Sequence, residues 1–251
     1  NGRAIIPLTL GLGCDTMGVI VTRTLETKKE RLIATFLLAL TIPCSAQLGI
    51  ILSISSQNHR IFFVWLICLT LVFLLSGWLT KKLVGSKSPT FYMEMIPLRL
   101  PKISNVLSKT FSRLVWYLKE VVPIFILASV IIWLGRLTGL FDLLIKAFSY
   151  PVKWAGMPEK ASQAFLYGFF RRDYGAAGLL GLTKEGVLVS NSLAVALVVM
   201  TLFVPCVAQF AITWKERGWK TAVLMSAIIF PFAFIFGIAL NAVLNWFGIR
   251  L

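Results

Sequence analysis

The sequence predicts an all-α, polytopic membrane protein that contains two inverted repeats. Hydrophobic residues make up 58% of the 251 residues and charged residues only 14%, whereas soluble domains carry about 25% charged residues. Several apolar runs reach the length of about 20 residues that a helix needs to cross a bilayer. Two of these runs contain the same motif, Pro-Cys-x-Ala-Gln, at 43–47 and 205–209. Interrupted membrane helices at matching places in two halves are typical of the binding site of a transporter.

The positive charge of the chain fits a membrane surface better than nucleic acid. Lys and Arg number 25 and Asp and Glu number 10, which gives a net charge of +15. The basic residues concentrate in the connectors between apolar runs, as the cytoplasmic-loop bias and anionic lipids favour. We therefore expect the lipid bilayer as a partner and no nucleic acid.

The hydropathy pattern predicts five membrane spans and two shorter apolar segments. The spans are expected at 32–56, 61–80, 120–138, 187–213 and 219–247, and the shorter segments at 4–22 and 161–182. The chain then divides into a first repeat at 1–80, a basic cytoplasmic connector at 81–119, an intervening transmembrane helix with an interfacial segment at 120–160, and a second repeat at 161–251.

The short segment 161–182 decides the topology. If it crossed the membrane, Lys215, Arg217 and Lys220 would lie outside when the basic loop 23–31 lies inside. A re-entrant hairpin, with both ends on the non-cytoplasmic side, places all of these basic residues inside, so the charge bias favours it. The two Pro-Cys helices then run in opposite directions, and each repeat comprises a re-entrant segment, a broken helix and an intact helix. The first repeat is expected to be partial, with its first hairpin arm upstream of Asn1.

The two proline motifs are expected to break their helices. Pro43 and Pro205 each remove a backbone donor, so both helices should open within about a turn of these residues, and the two breaks should face each other. Gln47 and Gln209 would either hydrogen-bond the carbonyls that the prolines free or coordinate an ion. The sequence leaves both roles open.

Two carboxylates lie centrally in segments placed at membrane depth, Asp15 and Asp173. A carboxylate there costs roughly 2.5–3.5 kcal/mol on insertion scales, so it normally faces a cavity or a partner. Both lie near glycines, which permit the tight backbone of a hairpin tip, as Gly13 does beside Asp15. The alternatives are a salt bridge from Asp173 to Arg171 or Arg172, and a helix cap for Asp15.

The cysteines supply the chemical signal. The four cysteines have no paired spacing, so no disulfide framework is expected. Cys14, Cys44 and Cys206 each adjoin a helix-breaking feature, whereas Cys68 lies in a plain span and is read as a buried hydrophobe. Thiols with carboxylate and amide oxygens suit a borderline transition metal better than Mg²⁺ or Ca²⁺. The predicted metal ligands are Cys14, Cys44, Cys206, Asp15 and Asp173, and the predicted pathway or supporting residues are Gln47, Gln209, Pro43, Pro205, Gly13 and Arg172.

Several motifs resemble the membrane region of the ferrous iron transport protein B (FeoB) family. They are the runs from Ile6 to Cys14, from Thr22 to Glu26 with Arg31, the two Pro-Cys breaks, and the run from Phe169 to Gly178. The resemblance spans essentially the whole chain. It implies a multi-pass protein of a bacterial or archaeal cytoplasmic (inner) membrane that imports Fe²⁺ between two gate repeats, with Fe²⁺ as substrate and no permanently bound cofactor.

The resemblance also implies roles for single residues. By position, Cys14 matches the cysteine of the family's Gly-x-Gly-Cys, Cys44 that of the following helix, Cys206 the Pro-Cys of the second gate, and Asp173 the acidic residue of the second hairpin. Many relatives carry Asn-x-Pro-Ala after the first cysteine, where this chain has Asp15-Thr16-Met17-Gly18. The ion's surroundings are therefore expected to differ here.

Family members carry an N-terminal GTPase domain, and this chain has no Gly-x-x-x-x-Gly-Lys-Ser/Thr motif. We therefore expect a transporter part that is not itself an enzyme and that uses GTP only through a missing N-terminal segment or a separate chain. A homo-oligomer stays open. The competing interpretations are a gate-type carrier of nucleosides or other small solutes, which would need aromatic stacking and several amides at the tips, and a non-transporting membrane partner or channel subunit. Three thiols favour the metal.

Overall fold

The fold consists of helices joined by short turns. A computed structural model describes residues 2–56, 59–84, 102–188, 191–203 and 205–246, and these residues contain helices but no strands. The helices are α1 (Ile5–Gly11), α2 (Asp15–Val21), α3 (Lys28–Thr41), α4 (Ser45–Ser55), α5 (His59–Val84), α6 (Ile103–Leu137), α7 (Leu140–Trp154), α8 (Ala161–Phe170), α9 (Arg172–Lys184), α10 (Asn191–Leu202), α11 (Val207–Arg217) and α12 (Trp219–Trp246). Short 3₁₀ turns lie at Gly2–Ala4 and Thr22–Thr24.

Five helical stretches of the described chain are long and apolar enough to cross a membrane. They are Lys28–Ile54, His59–Thr80, Ile103–Leu137, Asn191–Arg217 and Trp219–Trp246. Each overlaps one of the five predicted spans. The prediction of an all-α polytopic membrane protein is confirmed.

One boundary differs from the expected division. Helix α6 has 35 residues and is therefore about 52 Å long, well beyond the roughly 30 Å of a hydrocarbon core. The predicted border between connector and membrane helix, at 119/120, falls inside this helix, which continues through Pro123. Residues 85–101 of the predicted connector lie outside the described residues.

Two pairs of short helices form hairpins. In α1 and α2, a Cβ built on Gly18 would lie 3.0 Å from both the Cα of Gly11 and the carbonyl oxygen of Pro7. In α8 and α9, a Cβ built on Gly175 would lie 2.6 Å from the Cα of Gly168. Glycine is needed at these crossings because the two backbones nearly touch.

The hairpins bear on two expectations. Segment 161–182 is folded back on itself at Arg171, as predicted, because neither α8 nor α9 is long enough to span a bilayer. The side of the membrane on which its ends lie stays a prediction. The first hairpin differs from the expectation, since the structure places α1 before α2 within the chain as a short first arm.

Both broken helices open at their Pro-Cys motifs, as predicted. Helix α3 ends at Thr41 and α4 begins at Ser45, while α10 ends at Leu202 and α11 begins at Val207. Pro43 and Pro205 have no amide hydrogen to continue the ladder of i to i−4 bonds. Cys44 and Cys206 consequently occupy the N-cap positions of α4 and α11.

The two broken helices run in opposite directions past each other. Gln47, just after the first break, contacts Met200, just before the second. Arg217, at the end of α11, contacts Thr35 in α3. Each hairpin packs on the broken helix of the other half, α2 on α11 and α9 on α4. Helix α10 is buried on every side from Leu193 to Leu202, so the second break lies in the interior.

Candidate functional site

The tips of the two hairpins have the same local geometry. Cys14, before α2, has φ −154° and ψ 120°, and Arg171, before α9, has φ −145° and ψ 122°. In both hairpins a glycine lies three residues before this position and another four residues after it. Asp15 and Arg172, the first residues of the second arms, therefore occupy equivalent positions.

These equivalent residues have opposite charges and bind each other. The Nη1 atom of Arg172 donates to Oδ2 of Asp15, and the two side chains are only 4% and 3% exposed. A buried pair of this kind is held by strong attraction at low dielectric, and removal of one partner leaves an uncompensated charge. The ion pair joins the two hairpin tips at the centre of the molecule.

Arg172 also binds the first helix break. Its Nη2 donates to the carbonyl oxygen of Ala39 at 3.0 Å, and its Nη1 lies 3.3 Å from that of Ile42. Ala39 lies four residues before Pro43, so its carbonyl is the one that the proline leaves without an amide donor. The guanidinium of Arg172 therefore satisfies the carbonyl that Pro43 frees, which was one of the two roles expected for Gln47.

Gln47 and Gln209 differ in their hydrogen bonding. Gln47 donates from Nε2 to the carbonyl oxygen of Met200 at 3.3 Å, which lies on the opposite broken helix and not on its own. Gln209 is fully buried, and within the described chain neither of its amide atoms has a hydrogen-bond partner. Met200 lies in the last turn of α10 before Pro205, so Gln47 bonds a carbonyl at the second break, and the role of Gln209 stays open.

Several buried polar atoms near these breaks and tips have no hydrogen-bond partner among the described residues. They are Oδ1 of Asp15, Oε1 of Gln47, Oε1 and Nε2 of Gln209, and Nε of Arg172. Each such group costs about 1–3 kcal/mol if it stays unsatisfied. Native structures rarely accumulate such groups without a ligand, ion or ordered water to bind them.

Three free thiols lie at the first hairpin tip and the two helix breaks. Cys14 directly precedes Asp15, and Cys44 and Cys206 are the N-cap residues of α4 and α11. The first tip also contacts the first break, because the carbonyl oxygen of Gly13 accepts from Oγ of Ser45 at 2.9 Å.

The remaining predicted ligand lies apart from this group. The carboxylate of Asp173 accepts from Nη2 of Arg171 at 2.8 Å, and both side chains are about one-third exposed. This is the salt bridge that the sequence left open as an alternative. In the described part of the chain, no group of three or more His, Cys, Asp and Glu side chains is arranged to hold a metal ion. The set of metal ligands therefore stays a prediction.

One neighbour of the thiols was not predicted from the sequence. Tyr117 of α6 is half-buried, and its hydroxyl lies 3.4 Å from the sulfur of Cys14. The sequence signal for Tyr117 is weak, because this residue stands among the basic and apolar residues of the predicted connector. The continuous helix α6 brings this phenol against the first hairpin tip.

A second group of polar contacts ties the end of α11 to the first hairpin. Arg217 binds the hydroxyls of Thr22 and Thr35, and Glu216 pairs with Arg23. Lys215 pairs with Glu120 of α6. These contacts fix α11 beside α2, and so hold the second break against the first tip.

Two hairpins that meet two helix breaks inside a bundle of membrane-length helices define a polytopic protein with the architecture of a membrane transporter. Residues 118–220 match the Gate family model, described as nucleoside recognition, and residues 62–113 match the model of the ferrous iron transport protein B C terminus. Together with the relatives below, these matches support a C-terminal membrane region like that of FeoB proteins.

Two of the curated relatives described here cover nearly the whole chain. The Fe(2+) transporter FeoB of Staphylococcus aureus is 24% identical over 92% of this chain and 39% of its own length. The Fe(2+) transporter FeoB of Methanocaldococcus jannaschii is 23% identical over 97% of this chain and 42% of its own length. An Fe(2+) transport protein A/FeoB fusion protein of Porphyromonas gingivalis is 31% identical over 53% of this chain and 16% of its own length. The chain spans about two-fifths of the first two relatives, and no solved structure matches it.

Proposed function

We propose that this chain is the permeation part of a ferrous iron importer in a prokaryotic cytoplasmic membrane. The relatives named as Fe(2+) transporters support iron over the nucleoside-type alternative. The observation that carries the proposal is the meeting of the first hairpin tip, with Cys14 and the buried Asp15, and the first helix break, with Cys44.

In this proposal Fe²⁺ passes between two inverted gate repeats. The opposite courses of the broken helices and the reciprocal packing of each hairpin on the other half support such a repeat. The ion would exchange its water for the thiols and for the oxygens of Asp15 and Gln47. An open and incomplete set of ligands suits an ion that must also leave, since a closed tetrahedral cage would retain it.

Other parts of the proposal concern partners. GTP would act only through a GTPase domain on another segment or chain, because the relatives are more than twice as long as this region. Whether several copies of the chain assemble is left to experiment.

Transport assays test the proposal. The chain is reconstituted in vesicles with a trapped iron-chelating dye, and the initial rate of anaerobic Fe²⁺ uptake is measured. Cys14→Ser, Cys44→Ser and Cys206→Ser each remove a soft donor at nearly constant size, so uptake should fall about tenfold or more at matched abundance. Cys68→Ser is the matched control, because Cys68 packs on the α5 side of the core, and uptake should stay near wild type. Wild-type uptake in all three variants, or nucleoside uptake in place of iron, would reject the proposal.

A further inference from the structure

Arg172 occupies a set of oxygen ligands that would also suit a metal cation. Its guanidinium contacts the carboxylate of Asp15 and the carbonyl oxygens of Ala39 and Ile42. Unwound backbone carbonyls beside a carboxylate are the groups with which broken transporter helices coordinate cations. The side chain is almost fully buried, so these contacts are made without competition from bulk water.

The same guanidinium lies beside two of the predicted thiol ligands, because it binds Asp15, which follows Cys14, and the carbonyl of Ile42, two residues before Cys44. A divalent cation bound to those thiols would face a fixed positive charge at low dielectric, where repulsion between like charges is strong. Asp15 cannot neutralise both, because it carries one negative charge and already pairs with Arg172. The ion pair and a thiol-bound metal ion therefore compete for one carboxylate.

We propose that Arg172 is a tethered competitor of the transported cation. In the conformation described here, the guanidinium neutralises Asp15 and holds the two hairpin tips together. Arrival of the metal ion at Asp15 and the thiols displaces Arg172, which loosens the tips, and return of Arg172 expels the ion. This inference rests on the proposed function, and it adds that the cation is released by a charge built into the second hairpin.

Metal titration without transport tests the inference. The purified, reduced chain in detergent is titrated with Co²⁺ as a probe, and the thiolate-to-cobalt charge-transfer absorbance gives the affinity. Arg172→Gln removes the competing charge while retaining a polar side chain, so Co²⁺ should bind at least about tenfold more tightly than to wild type. Arg171→Gln is the matched control, because Arg171 is the neighbouring arginine and pairs with the partly exposed Asp173. Its Co²⁺ affinity should equal that of the wild type.

A second variant keeps the test conclusive if Arg172→Gln fails to fold. Arg172→Lys keeps the positive charge that Asp15 requires, but a lysine cannot reproduce the forked contacts with Asp15 and both carbonyls. Its Co²⁺ affinity should lie between those of the wild type and Arg172→Gln.

The outcomes separate this inference from the proposed function. Equal or weaker Co²⁺ binding in the folded Arg172 variants, with a thiolate band that Cys14→Ser diminishes, would overturn the competition and leave the thiol site standing. Absence of any thiolate band in wild type and variants alike would overturn the thiol site and the inference together.

Discussion

At the scale of single residues, the molecule is organised by one buried ion pair. Asp15 and Arg172 are 157 residues apart in the chain, and they come from equivalent positions of two hairpins. The sequence singles out both Asp15 and Asp173 as costly carboxylates at membrane depth. It offered Arg171 or Arg172 for Asp173, but it could not assign the partner of Asp15, because that pairing depends on how the two tips meet.

The buried Asp15–Arg172 pair should contribute more to the free energy of unfolding than the more exposed Asp173–Arg171 pair. Asp15→Ala leaves Arg172 buried and unpaired, so we expect a loss of about 3–5 kcal/mol in unfolding free energy. Asp15→Leu combined with Arg172→Met removes both charges and should cost much less. Asp173→Ala breaks the more exposed pair with Arg171 and should cost within about 1 kcal/mol. Reversible unfolding in mixed micelles measures these values, and equal losses for Asp15→Ala and Asp173→Ala would refute the ranking.

At the scale of elements, glycines and prolines determine where the helices approach and where they open. The positions of both breaks could be predicted from Pro43 and Pro205, since proline chemistry is local. The donor that satisfies Ala39 could not be predicted, because Arg172 reaches it from another element. The extent of α6 was also missed, because the basic residues before Glu120 concealed a helix that continues into the span.

Two glycines of α9 should respond oppositely to alanine. A Cβ at Gly175 would lie 1.9 Å from the terminal methyl of Met200 and 2.6 Å from Gly168, whereas a Cβ at Gly181 meets nothing within 4 Å. Gly175→Ala should therefore destabilise the chain by about 1–3 kcal/mol or more through overpacking. Gly181→Ala should be neutral, or stabilising by up to about 1 kcal/mol, because alanine favours helix. Thermal unfolding of the two variants compares them, and a tolerated Gly175→Ala would show that the hairpin arms are not in close contact.

At the scale of the whole molecule, composition and charge determine much of the architecture. The five spans could be predicted because apolar runs of bilayer length are a property of the chain alone. The expectation of opposite broken helices came from the distribution of Lys and Arg, and their observed courses agree with it. The contact between the first hairpin tip, with Cys14, and the first helix break, with Cys44, is a product of tertiary packing, which spacing along the sequence does not encode.

The next prediction concerns the side of the membrane on which the two ends of the α8–α9 hairpin lie. Lys160 and Lys184 stand at the two outer ends of the α8–α9 hairpin, and both are exposed. If the hairpin is re-entrant, Lys160→Cys and Lys184→Cys should both be labelled by a membrane-impermeant maleimide from the non-cytoplasmic side. Lys28→Cys and Lys220→Cys should be labelled from the cytoplasmic side, with the wild-type chain as the background for its native thiols. Labelling of Lys160→Cys and Lys184→Cys from opposite sides would contradict the inverted repeat.

The central claim is that Fe²⁺ binds sulfur between the hairpin tips and the helix breaks. Iron K-edge X-ray absorption of the reduced chain, loaded anaerobically with Fe²⁺, observes the ligand atoms directly. Sulfur scatterers should appear at about 2.3 Å, the length of a metal–thiolate bond in zinc sites, and should diminish in Cys14→Ser, Cys44→Ser and Cys206→Ser but not in Cys68→Ser. A first shell of oxygen and nitrogen alone in the wild type would contradict the account.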